Sequence, residues 1–108
     1  MLRIYRVVLE MIALLALVAE EIEKRDVALG KQMREALASV GLNTAEGMGN
    51  TGGHKRQRYQ DALGSAQEVR ACIDVATAMR YIGPVDPIAL DKLQHVIATL
   101  AKLVHRRR

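Results

Sequence analysis

At the start of the chain, apolar residues recur at Ile4, Val7, Val8, Met11, Leu14, Leu15, Val18 and Ile22. This is the i, i+3, i+4, i+7 spacing of one helix face. No Gly or Pro interrupts Leu2 to Lys24, so the pattern predicts a helix over 2–24. Ile12, Ala13, Ala16, Leu17 and Ala19 fill the rest of its circumference. A helix that is apolar all round is buried on more than one side, and a short chain supplies only one core. The surplus face predicts an oligomer interface, with Ile12 and Leu17 pointing outward into it.

Asp26 is placed to cap a second helix over 26–46, with Leu29, Met33, Leu37 and Val40 on its inner face. Gly30 and Gly41 are costly inside a helix unless something packs close against them. Gly47 is the expected stop, and the run GMGNTGG, Gly47 to Gly53, reads as the one clear loop. A third helix is predicted over 54–81, with Tyr59, Leu63, Ala66, Val69, Ile73 and Ala76 inside. Gly83-Pro84 ends it. Asp86-Pro87 then supplies an N-cap and a first-turn proline for a fourth helix over 87–106. That helix bears Leu90, Leu93, Val96, Ile97, Leu100 and Val104.

No segment alternates with period two. Four helices with short connections pack as antiparallel neighbours. The expectation is an all-α fold, an antiparallel up-down-up-down four-helix bundle, formed as a single domain over 1–108.

Composition sharpens this picture. The 108 residues include three Tyr but no Phe or Trp, and cores built from strands draw on aromatic residues. The single cysteine, Cys72, has no partner for an internal disulfide, which fits a reducing compartment. It reads as a buried structural thiol. Arg3 and Arg6 precede the apolar run Met11 to Ala19. Glu10 interrupts that run, no small-x-small cleavage site follows, and it is shorter than a membrane span. The expected location is cytoplasmic, with no membrane contact.

Candidate chemistry is sparse. Gly47 to Gly52 matches G-x-G-x-x-G literally, but a helix stands where a dinucleotide fold needs a strand. Gly53-His54-Lys55 does not complete a P-loop. His54, His95 and His105 lie far apart and form no zinc pattern. Glu46 and Glu68 have no spacing that sets them up as an acid–base pair, and Ser39 and Ser65 lack the strand-turn-helix setting of a nucleophile. The reading is a protein that is not an enzyme, with no metal and no cofactor. Backbone N–H groups at the start of the third helix, beside Lys55 and Arg56, can hold a phosphate.

Two motifs carry a resemblance. Asn43-Thr44-Ala45-Glu46-Gly47-Met48-Gly49 is followed by Ala62-Leu63-Gly64-Ser65-Ala66-Gln67-Glu68. Together they resemble the proteins encoded within 23S rRNA intervening sequences, whose hallmark reads N-[IT]-A-E-G-x-G-R and then G-S-A-x-E. Gln32-Met33-Arg34-Glu35-Ala36 is similar to that family's Q-L-R-R-A. Asn50 replaces the hallmark Arg, and the usual proline-containing link between the first two helices is missing. The resemblance implies a four-helix bundle assembled as a ring, commonly a homopentamer. It also implies kinship with the accessory variability determinant protein of diversity-generating retroelements, which is thought to bind nucleic acid and a reverse transcriptase. Gly64, Ser65 and Ala66 read as a close approach for a neighbouring helix. Asn43 and Glu46 read as groups that satisfy loop backbone.

The net charge of +4 conceals a polarity. In an up-down-up-down bundle, one end gathers the start of helix one, the link between helices two and three, and the end of helix four. That end collects Arg3, Arg6, Lys55, Arg56, Arg58, Lys102, Arg106, Arg107 and Arg108. The other end collects Glu20, Glu21, Glu23, Asp26, Asp86 and Asp91. The basic end predicts salt-sensitive binding of RNA or DNA. No aromatic residues interleave with these charges, so the expected binding depends little on base sequence. The competing reading is a structural oligomer that docks a protein, such as a reverse transcriptase, without touching nucleic acid.

Overall fold

A computed structural model describes residues 2–49 and 52–106. It contains four helices: α1 (Arg3–Glu23), α2 (Val27–Gly49), α3 (Gly52–Ala78) and α4 (Pro87–Val104). Each helix packs on its two neighbours in the order α1–α2–α3–α4 and back to α1. The result is an antiparallel four-helix bundle, a rod 44 Å long and 24 by 21 Å across.

The two caps read from sequence are in place. The Asp26 carboxylate accepts from the Leu29 backbone N–H at 3.0 Å, and Asp86 accepts from Ile88 N–H at 2.9 Å with Pro87 opening α4. The core forms from one stripe per helix. It includes Met11, Leu15 and Ile22 of α1, Met33, Leu37 and Val40 of α2, Val69 of α3, and Leu93, Val96 and Leu100 of α4. Leu63 is only half-buried and Leu90 is exposed, so Ala62 and Ala89 take the inner positions.

The helix ends depart from expectation where glycine plays a different part. The helix does not stop at Gly47. A Cβ there would lie 2.6 Å from a ring carbon of Tyr59, so this glycine admits the aromatic ring instead of turning the chain. α2 continues to Gly49 and α3 begins at Gly52. Most of the expected 47–53 loop is therefore helical, and Asn50 and Thr51 lie outside the described residues. Gly30 and Gly41 are close-approach positions, as expected. A Cβ on Gly30 would meet the backbone of Glu23 at 2.8 Å, and one on Gly41 would meet Ile12 at 3.1 Å. The Gly30 contact brings α2 against the end of α1 across the short turn at Lys24-Arg25.

α3 ends at Ala78, three residues before the predicted Tyr81. Arg80 takes the left-handed conformation, with φ 63°. Tyr81 N–H donates to the Ala76 carbonyl at 2.9 Å and Arg80 N–H to Thr77 at 3.0 Å. This is a Schellman cap with arginine where glycine is usual. α4 ends at Val104, before the expected 106, with the His105 N–H returned to the Ala101 carbonyl.

Candidate nucleic-acid interface

Antiparallel packing puts the start of α1, the end of α2, the start of α3 and the end of α4 at one end of the rod. α1 and α4 run oppositely: Glu10 meets Lys92 at 3.0 Å, whereas Val18 and Glu21 lie beside Val85 and Asp86. The described cations near the basic end are therefore Arg3, Arg6, Lys55, Arg56, Arg58, Lys102 and Arg106; Arg107 and Arg108 lie outside the described residues.

These cations are not equivalent. Among the described residues, Arg3, Arg6, Lys55, Arg56, Lys102 and Arg106 make no ion pair, while Arg58 is held on three sides. Its Nε lies 3.0 Å from Glu46, its Nη1 lies 3.8 Å from Asp61, and Nη1 also donates to the Asn43 side-chain oxygen at 3.4 Å. Arg58 thus clamps α3 to α2, and Glu46 and Asp61 offset its charge. The opposite end is less acidic than the carboxylates alone suggest. Lys24 pairs with Glu21 at 3.1 Å and Arg34 with Glu23 at 2.6 Å. The hydrogen bond from Arg34, helped by its charge, holds the Glu23 carboxyl below its ordinary pKa against the opposing effect of desolvation.

Both sequence motifs lie along the α2–α3 seam, Asn43, Glu46 and Gly47 against Arg58 and Tyr59, and Ser65 and Glu68 against Ser39 and Gln32. Ser39 Oγ and Ser65 Oγ lie 2.7 Å apart. Asn43 donates to the Ser39 hydroxyl at 3.0 Å and to its carbonyl at 3.1 Å, and Gln32 donates to Glu68 at 3.0 Å. With Arg58, these contacts form a polar ladder along the seam. Asn43 binds one turn back in its own helix, and one partner of Glu46 is Arg58. Gly64 does not serve helix approach within the chain, because a Cβ there would meet nothing within 4 Å. Thr44 is fully buried with its hydroxyl unpaired, at a hallmark position that takes either Ile or Thr.

Ile12 and Leu17 part company. Leu17 is 62% exposed, but Ile12 is half-buried over Gly41 and does not point outward. Leu9, Ala13 and Leu17 are exposed along α1, and Leu42 is 69% exposed on neighbouring α2. Glu10, the one charged residue of α1 between Arg6 and Glu20, pairs with Lys92 of α4. α2 has none between Glu35 and Glu46.

The α1–α4 seam holds something not read from sequence. A groove of about 780 Å³ opens there, with Arg3, Arg6 and Val7 on one wall and Ile88, Asp91 and His95 on the other. The available signals were the lone Glu10 in an apolar run and Asp91, Lys92 and His95 within two turns of α4. Asp91 belongs to this groove as well as to the acidic group assigned to it from sequence. The remaining candidates are quiet. Cys72 is buried and its thiol pKa is raised, by burial first and then by the charge of Glu68. Among the described residues, no group of three or more His, Cys, Asp or Glu is placed to hold a metal ion. No helix among them is long and apolar enough to cross a membrane.

No curated protein and no solved structure matches the chain. One family match covers nearly its whole length, residues 2–105, and includes both motifs of the α2–α3 ladder. On that match, and with four helices in place, the chain belongs to the 23S rRNA-intervening sequence protein family.

Proposed function

We propose that this chain is a non-enzymatic accessory protein that self-associates through the outer face of α1 and binds RNA or DNA through its basic end. The observation that carries the reading is the distribution of charge. Six described cations near one end of the bundle lack ion-pair partners, while salt bridges partly neutralise the acidic end. Guanidinium and ammonium groups left free in this way exchange condensed counterions for phosphates.

Self-association multiplies the effect. Leu9 and Leu17 on the outer face of α1 and Leu42 on α2 are large apolar side chains left exposed, a surface that fits a second copy of the chain. A ring of subunits, a homopentamer by the family resemblance, repeats the basic end around one face and converts weak contacts into avidity. The experiment is binding of labelled RNA and DNA at about 50 mM salt, where phosphate contacts are strong. Arg56→Glu and a chain ending at His105 each bind more weakly than wild type. Arg58→Glu is unsuitable, since it breaks the clamp on Glu46. Light scattering checks the assembly: wild type is oligomeric at micromolar concentration and Leu17→Glu shifts it toward monomer. An oligomer that binds neither nucleic acid favours a scaffold that docks a protein such as a reverse transcriptase.

A further inference from the structure

The α1–α4 groove combines three kinds of surface within one opening. Arg3 and Arg6 come from the first turns of α1, Val7 and Ile88 give aliphatic walls, and Asp91 stands on the α4 side. Glu10 and Lys92, also in the lining, neutralise each other at 3.0 Å. Among the described residues, Arg3, Arg6 and Asp91 make no ion pair. Ile88 is 61% exposed, an aliphatic side chain left in water in the same groove lining as Arg3 and Arg6, on the far side of the Glu10–Lys92 pair. The volume lies within the range of small-ligand sites, roughly 300–1,000 Å³.

We infer that this groove takes one unstacked nucleotide of a single-stranded nucleic acid: its phosphate on Arg3 and Arg6, its base against Val7 and Ile88, and an exocyclic amino group on Asp91. The inference rests on the nucleic-acid reading above and adds what the basic end alone does not supply. Guanidinium groups bind phosphate as hydrogen-bonding forks. A carboxylate accepts from the amino group of cytosine, and adenine also presents one. Uracil presents none. A wholly anionic ligand would meet Asp91 as a repulsion, whereas a nucleotide carries an anion and an amino edge together. A duplex keeps its bases stacked and paired, so it offers the groove phosphates but no base face.

The test compares labelled oligo(rC), oligo(rU) and a duplex of the same length, about 12 nucleotides, within the range one binding module covers. Wild type binds oligo(rC) about fivefold or more tighter than oligo(rU), the discrimination of one base-edge contact. Asp91→Asn lowers that ratio toward one. Ile88→Glu weakens both single strands by about fivefold, while duplex binding at the basic end changes less than about twofold. A second probe is free cytidine monophosphate at millimolar concentration, read by the methyl resonances of Val7 and Ile88, which move in wild type. Equal binding of the two strands with still methyls overturns the groove, and duplex binding that survives then keeps the basic-end reading. Methyls that move in a protein that binds no strand support the groove and sink the basic-end reading. Still methyls with no strand binding sink both.

Discussion

The α2–α3 seam and the α1–α4 seam are built from the same kinds of helix and have opposite characters. Along α2–α3, Tyr59 presses on Gly47, and a ladder of Ser39, Asn43, Ser65 and Arg58 links the two helices. Asn43 and Ser65 belong to family motifs, and Ser39 and Arg58 stand beside them. Along α1–α4, Lys92 and Glu10 make the one inter-helix ion pair described, and the seam opens into a groove. The seam with the sequence signature is closed and structural. The seam without one has the space and the free charges. Motif density marks the packing of this bundle, and a ligand has room elsewhere.

That contrast can be broken first at Tyr59. Tyr59→Ala empties the space under Gly47, and truncation of a buried aromatic costs about 3–5 kcal/mol. Chemical denaturation measures it, and a loss well under that range would show the seam to be loosely packed. Next come two glycines, one from each sequence motif. Gly47→Ala drives a methyl into the Tyr59 ring and costs about 1–3 kcal/mol. Gly64→Ala meets nothing and adds up to about 1 kcal/mol of helix propensity. Opposite signs for the same substitution separate a glycine that packs from one that does not. A destabilised Gly64→Ala in the oligomer, but not in a Leu17→Glu background, would place Gly64 in a contact between copies.

Much of the fold was legible. The apolar spacing placed all four helices, and Asp26 and Asp86-Pro87 placed two of their starts. Gly47 was misread because glycine ends helices and also admits close neighbours, and only the position of Tyr59 distinguishes the two. Arg80 concealed the end of α3 because a left-handed arginine leaves no signal in the sequence. At the candidate site, helix order alone brought the basic residues to one end. Sequence did not show that Arg58 is engaged, since Glu46 lies twelve positions away on another helix. Nor did it show the groove, which depends on how far α1 and α4 stand apart.

A smaller effect sharpens the comparison on the open side. Lys92→Gln removes the α1–α4 ion pair, and because both partners are partly exposed the stability changes by less than about 1 kcal/mol. The smallest lies on the α1–α2 seam. The Glu23 carboxyl is held below its ordinary pKa by Arg34. Its contribution is therefore present above the unfolded carboxylate pKa and is lost as pH falls through the lowered folded value. Glu23→Gln melts below wild type at neutral pH, and the gap closes on acidification. A gap independent of pH would assign the effect to packing.

The most direct measurement is the salt dependence of nucleic-acid binding by the intact chain. A plot of log affinity against log salt falls with a slope of about −0.7 to −0.9 for each phosphate neutralised. The free cations near the basic end predict a slope steeper than about −3, and Arg56→Glu makes it shallower by about one phosphate contact. A flat plot, or a slope that Arg56→Glu leaves unchanged, contradicts a phosphate-binding end.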